Sequence, residues 1–161
     1  MKNKNKTNRG MGLVEIIVGS AIIMSGVMVI IATYNTYVSY ALSNERNVEA
    51  GYLLEEGMEA MTFLRDKSWT ANIVPLSTTT TYYLNWNGSY WATTTTAQYV
   101  DGIFLRSVGI TDVKRDGSDH IASSGTYDPN TKQISATVAY WQGHATTTKT
   151  IYTFISNIYG N

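Results

Sequence analysis

The sequence predicts an α+β protein in which one long N-terminal α-helix, with a membrane-spanning first half, packs against an antiparallel β-sheet of about four strands. Three observations support this prediction. An apolar run of membrane length extends from Leu13 to Ala32. A helical apolar stripe follows it, and short alternating segments separated by turn signals fill the C-terminal half of the chain.

The apolar run lies between a basic segment and a row of tyrosines. At about 1.5 Å per residue it is roughly 30 Å long, which matches the hydrocarbon thickness of a bilayer. Residues 1–10 contain Lys and Arg but no acid, so the positive-inside rule keeps them in the cytoplasm while the rest of the chain exits. Residues 1–10 therefore form a basic leader, and residues 11–34 form the transmembrane half of the helix. Its outer end carries Tyr34, Tyr37 and Tyr40, which suit an interfacial aromatic belt.

Glu15 is the only charged residue between Gly10 and Glu45. A carboxylate near the bilayer is costly and usually has a specific partner. An ordinary secretory signal would have a shorter apolar core followed by a small-residue cleavage site. A plain signal anchor explains the lysines and the length of the run, but it does not explain Glu15.

The segment Gly10-Met11-Gly12-Leu13-Val14-Glu15 resembles the class III signal of type IV pilins and pseudopilins. That family has a basic leader ending in Gly, then an apolar stretch with Glu as its fifth residue. The resemblance implies a pilin-like fold, cleavage by prepilin peptidase between Gly10 and Met11, and N-methylation of Met11. The chain departs from the family in having Met11 where Phe is most frequent, and in having no Pro in the first helix.

Cleavage after Gly10 would create a cationic α-amine, whose reference pKa is about 7.7–8. In a helix, Met11 and Glu15 stand at positions i and i+4 and share a face. The amine can pair with Glu15 of its own chain or with that of a neighbouring subunit. We therefore expect Glu15 to guide filament assembly and to set the axial register.

Gly12, Gly19 and Gly26 recur every seven residues in the membrane half. Small residues on one stripe let helices approach closely in lipid, so these glycines are candidates for a packing seam in a filament. The alternative is that Gly is simply common in membrane helices. Gly26, beside Ser25, is also where a bend in the helix is expected.

Residues 35–66 are expected to continue the helix as an amphipathic half. The stripe consists of Ala50, Leu53, Leu54, Gly57, Met58, Met61 and Leu64. Acidic residues lie off this stripe, at Glu45, Glu49, Glu56, Glu59 and Asp66. Such spacing indicates one buried helix face, and the sheet is its natural cover.

Residues 67–98 are predicted to form a variable loop and hairpin region. The turn Asn87-Gly88 lies between two aromatic segments and favours a β-hairpin. The tracts Thr78–Thr81 and Thr93–Thr96 are explained by β propensity, with O-glycosylation as the alternative. The exposed aromatic residues suit contacts with a partner, or packing on the sheet edge or a neighbouring subunit.

Residues 99–161 read as an antiparallel meander. Its Asp128-Pro129 turn, its strand ending in Tyr140-Trp141 and its final strand TIYTFISN resemble one subgroup of minor pilins and pseudopilins. The expected elements are a strand over Ile103–Val113 with a bulge at Gly109, a turn at Asp116-Gly117, a short strand within 119–127, a turn over Asp128–Thr131, a strand over Lys132–Gln142, a turn at Gln142-Gly143-His144 and a final strand over Thr146–Ser156. Alternation in the Lys132 strand places Ile134, Ala136, Val138, Tyr140 and Gln142 on one face.

No catalytic constellation is found, and the chain is predicted not to be an enzyme and to need no cofactor or metal. His120 and His144 stand in turn regions without ligand spacing. A calcium site using Asp116, Asp119 or Asp128 remains open, although the EF-hand pattern fails. The absence of Cys excludes disulfides. After loss of the leader the chain is mildly acidic, which argues against nucleic acid as a main partner.

The resemblance therefore implies a structural subunit of a type IV pilus or of a type II secretion or competence pseudopilus. The C-terminal similarity favours a minor subunit over a major one. The expected partners are other pilin-like subunits, prepilin peptidase, the membrane platform with its assembly ATPase, and the lipid bilayer before assembly. The expected location is the cytoplasmic membrane as precursor, then a surface filament or the periplasm. The alternative is a monomeric single-pass surface protein or adhesin with an uncleaved signal anchor.

Overall fold

The computed structural model describes residues 11–143 and 145–160 as an α+β protein with a long N-terminal helix packed on an antiparallel sheet. The leader with Gly10, and His144 of the predicted turn, lie outside the described residues. The elements are α1 (Met11–Lys67), α2 (Trp69–Asn72), β1 (Tyr82–Trp86), β2 (Trp91–Thr94), β3 (Tyr99–Val100), β4 (Phe104–Arg115), β5 (Ile121–Ala122), β6 (Thr126–Gln142) and β7 (Ala145–Ser156).

The chain divides into two compact units, one ending at Glu45 and the other beginning at Arg46. In the first unit α1 is the described element, and it continues through Gly26 without a break in its helical assignment. The hydroxyl of Ser25 donates to the Ile22 carbonyl at 2.8 Å, within the same helix. This unit is an uninterrupted helix.

The second unit consists of a helix layer packed on a sheet layer. The predicted stripe of α1 forms the helix side of the apolar core between them. Ala50, Leu53, Leu54, Met61 and Leu64 are buried, which confirms the stripe. The predicted inward face of β6 is confirmed by the burial of Ile134, Ala136, Val138 and Tyr140, while Gln142 at its end is only half-buried. The apolar side chains that repeat about every 3.6 residues in the helix and every 2 residues in the strand therefore pack together in one layer.

Seven strands form the sheet, so the prediction of about four strands was wrong. The main order is β2-β1-β4-β6-β7, and β3 and β5 also pair with β4. The hairpin β1-β2 was predicted and has Trp86 opposite Trp91, but it joins the main sheet through Tyr82 opposite Val108. The two-residue strands β3 and β5 both pair with β4. β5 lies within the region 119–127, where a short strand was predicted, whereas β3 was not predicted.

The sheet irregularity lies at the end of β4 rather than at Gly109. Gly109 pairs regularly with Ser135, and the register shifts between Asp112 and Val113. On β6 the register shift falls between Asp128, which pairs with Val113, and Lys132, which pairs with Asp112. The segment Asp128–Thr131 was predicted as a turn, but it belongs to the strand. Pro129 has no N–H for a ladder bond, so this segment bulges where a regular strand could not continue.

The region 67–98 contributes to the core as well as to the hairpin. Ser68 caps the short helix α2 by accepting a hydrogen bond from the Ala71 amide at 3.2 Å. This turn buries Trp69 and Ile73 in the same cluster as the stripe of α1. The segment is therefore structural at its start, where the sequence suggested a variable loop.

Gly57 and Gly109 allow close approach on the two faces of the sheet. A Cβ at Gly57 would lie 3.3 Å from the Cβ of Ala136, on the side where α1 packs. On the opposite face, a Cβ at Gly109 would lie 2.8 Å from the Ser135 hydroxyl. Both positions leave little room for a larger side chain.

We expect Gly57→Leu to lower the free energy of unfolding by about 1–3 kcal/mol, because overpacking forces α1 away from β6. Gly51→Leu is the matched control, since a Cβ at Gly51 meets nothing within 4 Å and Leu favours helix. Denaturant unfolding of the detergent-solubilised chain measures both. Equal stability of the two variants would contradict the close packing at Gly57.

Candidate functional site

Glu15 lies near the N-terminal end of α1, exposed in a segment whose apolar side chains are also exposed. Every large apolar side chain from Leu13 to Ile31 is at least 48% exposed. Among the described residues, none forms a hydrogen bond or ion pair with the Glu15 carboxylate. Soluble monomers rarely leave so much contiguous apolar surface uncovered.

The hydroxyl groups of the same segment are satisfied inside the helix. Ser20 donates to the Ile17 carbonyl at 2.9 Å, and Ser25 donates in the same way to Ile22. Further along, Thr33 donates to the Val29 carbonyl at 2.9 Å. Such back-bonding suits a helix in hydrocarbon, where no water is present to satisfy polar groups. Glu15 is thus the side chain of this segment that still requires an outside partner.

α1 is the one helix of the described residues that is long and apolar enough to cross a bilayer. The crossing window lies near the N-terminus and none of it is buried inside the protein. These properties are compatible with a single-pass membrane anchor. Length and composition alone do not distinguish an anchor from a filament-core helix, since both need apolar surfaces.

The predicted residues Met11, Gly12, Glu15, Gly19 and Gly26 lie along this one helix, while Gly10 of the predicted cut lies outside the described residues. Met11 begins α1, and Glu15 follows one turn later. At Gly12, Gly19 and Gly26 an added Cβ would meet nothing within 4 Å, so these glycines contact no other part of the described chain. Their small size gives no internal packing advantage, and any seam they form must face another molecule.

An ion pair between the helix and the sheet, in which Arg106 is buried and the Glu56 side chain is 44% exposed, was missed by the sequence analysis. The Arg106 guanidinium binds the Glu56 carboxylate, and the Arg106 side chain is only 4% exposed. Its Cζ lies 5.0 Å from the centre of the Trp91 ring, and its Nε has no hydrogen-bond partner. The sequence feature that could have indicated this pair is Arg106 itself, a cation between Phe104 and Val108 on the inward face of β4.

A second polar cluster surrounds the bulge of β6. Arg115 donates to the Asp128 carboxylate at 2.7 Å and to the Asp119 carbonyl at 2.8 Å. The hydrogen bond from Arg115, followed by that from Thr131, lowers the pKa of Asp128. The same pairing with Asp128 raises the pKa of Arg115. This cluster holds together the strand ends that the bulge would otherwise separate.

Two of the carboxylates considered for a calcium site, those of Asp116 and Asp128, already accept hydrogen bonds from the protein. Besides the Asp128 pair, the Asp116 carboxylate accepts the amides of Ser118 at 2.8 Å and His120 at 3.0 Å. Within the described ranges, no group of three His, Cys, Asp or Glu side chains is placed to hold a metal ion. His120 lies in an exposed turn, 3.7 Å from Asp116, as the sequence predicted.

Lys132 is a buried cation beside the same bulge. Its ammonium group binds the Asp112 carboxylate and donates to the Tyr127 hydroxyl at 2.7 Å. Burial lowers the pKa of Lys132, but the hydrogen bonds to Asp112 and Tyr127 outweigh it, so the pKa is raised overall. Lys132 therefore remains charged and structural, without the free amine that nucleophilic chemistry needs.

A pocket of about 490 Å³ opens at the end of the sheet where β4 begins and β6 ends. Arg46, Tyr99, Gly102, Ile103, Leu105, Ala139, Tyr140, Trp141 and Thr146 line it. Arg46 donates to the Trp141 carbonyl at 3.1 Å and has no carboxylate partner among the described residues. The pocket combines one uncompensated cation with aromatic and aliphatic walls, which is a binding surface rather than a catalytic one.

Removal of the Glu56 carboxylate tests the ion pair with Arg106. We expect Glu56→Ala to lower the free energy of unfolding by about 2 kcal/mol, because Arg106 would remain buried without a counter-charge. The neighbouring Glu55 is exposed, so Glu55→Ala should change stability by less than about 0.5 kcal/mol. Urea unfolding measures both, and equal losses would contradict a specific role for the pair.

Acid titration tests the bulge cluster. Since the pKa of Asp128 is lower in the folded chain than in the unfolded chain, the unfolded state binds more protons as the pH falls below about 4. Stability contributed by Asp128 is therefore present above that pH and lost below it. Asp128→Asn should flatten this acid loss, measured as the urea midpoint between pH 7 and pH 3. With Glu55→Gln as control, a wild-type slope in Asp128→Asn would argue against the cluster.

Comparison of the chain with protein-family models, curated proteins and solved structures finds no match. The function is therefore inferred from the residues and the geometry described above.

Proposed function

We propose that the chain is a type IV pilin-like subunit that is processed at its N-terminus and assembled into a filament through α1. The filament is a pilus or a related pseudopilus, and the weaker C-terminal resemblance favours a minor subunit. In this proposal the described domain, beginning at Arg46, decorates the filament, and the apolar helix provides its attachment.

The observation that carries the proposal is Glu15, a lone carboxylate without an internal partner in an exposed apolar helix. A membrane anchor needs no such charge, and keeping one near lipid is unfavourable. A new α-amine at Met11 of a neighbouring subunit would neutralise it. Because both charges lie in a low-dielectric bundle, their attraction fixes the axial position of one subunit against the next.

The leader and the rest of α1 support the same proposal. Residues 1–10 supply the cytoplasmic cations that orient the precursor, and Gly10 supplies the small residue at the proposed cut. Prepilin peptidase would then cleave before Met11 and methylate its amine, which remains charged. The membrane platform and assembly ATPase would extract the helix from lipid into a bundle in which Gly12, Gly19 and Gly26 permit close contacts.

The second unit is consistent with a protein exposed outside the cytoplasmic membrane. It has no Cys, so its final strand is held by pairing with β6 rather than by a disulfide. Within the part of the chain that the structure describes, its polar clusters form internal ion pairs and present no catalytic arrangement. Such a unit serves as a folded cap on a filament subunit.

Mass spectrometry of sheared material and of membranes tests the processing step. We expect a chain that begins at N-methylated Met11 in the sheared fraction, and unprocessed chain only in membranes. A chain that begins at Met1 and stays in the membrane fraction would overturn the proposal. That result would favour the single-pass surface protein with an uncleaved anchor.

Substitution of Glu15 tests the assembly step. We expect Glu15→Ala to be inserted and cleaved normally, because the apolar run and Gly10 are unchanged, but to fall at least about tenfold in sheared filaments. Glu45→Ala is the matched control, since Glu45 is the next acidic residue along the chain and lies outside the apolar run. Wild-type amounts of Glu15→Ala in filaments would show that the carboxylate does not guide assembly.

A further inference from the structure

We propose that the Arg46 pocket receives an acidic helix ridge from a second copy of this chain, and that this contact joins copies head to tail. The ridge consists of Tyr52, Glu55, Glu59 and Phe63 on α1. The inference rests on the proposed filament function and names one of its contacts between subunits.

The pocket has the composition of a docking site for an anion on an apolar support. Arg46 uses one donor on the Trp141 carbonyl, while the rest of its guanidinium fork has no protein acceptor among the described residues. Trp141 and Tyr99 in the wall are 56% and 62% exposed. A guanidinium with free N–H donors in a pocket that is also lined by aromatic side chains can bind a carboxylate in a bidentate geometry.

A second cation increases the positive charge near this end of the sheet. Lys149 of β7 donates to the Asn47 carbonyl at 3.2 Å, and it also lacks a carboxylate partner in the described ranges. Tyr140 holds the Asn47 side chain, donating to its Oδ1 at 2.7 Å. The first turn of α1 in this unit is therefore fixed to the sheet, and Arg46 is held in place beside the pocket.

The ridge presents the complementary chemistry on the opposite side of α1 from the core stripe. Its members stand at i, i+3, i+7 and i+11, which is one face of an α-helix. Tyr52 is 68% exposed and Phe63 is 43% exposed, with the exposed Glu55 and Glu59 between them. Neither carboxylate has a hydrogen-bond or ion-pair partner among the described residues. The ridge thus offers two acids and two aromatic side chains to a pocket that is lined by a cation and by the exposed aromatic residues Tyr99 and Trp141.

One copy cannot fill its own pocket with its own ridge. Arg46 and Glu59 are thirteen residues apart on one helix, which corresponds to roughly 20 Å along its axis. The contact must therefore join two copies through different surfaces. Such a heterologous contact leaves one free pocket and one free ridge at the ends, so it propagates into an open filament or closes as a ring.

Cross-linking tests the contact in the full-length chain, which contains no natural Cys. The double variant Glu59→Cys with Thr146→Cys places one thiol on the ridge and one at the pocket. A short bismaleimide added to native cells or sheared filaments should give a ladder of dimers, trimers and longer species. The control pairs Glu59→Cys with Thr150→Cys, an exposed residue of the same strand that does not line the pocket. Equal ladders in both variants, or dimers only, would overturn the inference.

Charge exchange tests the role of Arg46 in the same assay. Arg46→Glu should lower the cross-linked fraction about tenfold, because it removes a charge-assisted contact and adds repulsion. Position 59 carries the thiol in this assay, so the reversed charge is placed at the other acid of the ridge, and restoration by Glu55→Lys in the Arg46→Glu background would confirm the pairing. Failure of that restoration, with the protein folded and abundant, would refute it.

Processing separates this inference from the function on which it rests. If filaments contain chains beginning at Met11 but no ladder forms, the Arg46 contact is wrong while the filament function stands. If no chain is cleaved and none is sheared from the surface, the filament function itself fails, and the contact fails with it.

Discussion

The fold of the second unit depends on how closely α1 can approach the sheet at Gly57. That glycine faces Ala136 on β6, and the small pair lets the larger stripe residues on either side reach the sheet. Arg106 passes beside the same glycine to bind Glu56 on α1. Helix position, strand register and this ion pair are therefore coupled. A larger side chain at Gly57 would disturb the apolar packing and the ion pair together, since both require the same distance between α1 and the sheet.

The first unit obeys a different constraint, because the apolar side chains of its helix are exposed within the part of the chain that the structure describes. Its hydroxyl groups are satisfied by backbone carbonyls of the same helix, whereas the carboxylate of Glu15 is not. Lipid can cover the aliphatic side chains but cannot neutralise a carboxylate. A neighbouring helix with an amine can do both. On the proposed function, lipid and a helix bundle would therefore differ mainly in how they accommodate Glu15.

Features with a local period were predictable, and features that arise from pairing were not. The stripe around Leu54 and the inward face of β6 follow from periods of 3.6 and 2, and Asn87-Gly88 marked the hairpin. The two-residue strand β3, which was not predicted, exists only against β4. Asp128-Pro129 has turn composition, but the neighbouring strands hold it as a bulge. Arg106 was missed because its partner is fifty residues away on the helix. The pocket at Arg46 is assembled from four separated segments, so no single stretch indicates it.

The last strand, β7, leaves one side of its backbone unpaired, because it pairs with β6 on the other side and ends the sheet order. It is long and rich in Thr and aromatic residues, a composition that favours addition of a foreign strand. Lys149 is the one charge in this strand, and it is directed to the Asn47 carbonyl. An inward-directed charge on an edge strand opposes edge-to-edge aggregation. This single lysine therefore makes amyloid-like stacking of the final strands of neighbouring copies less favourable.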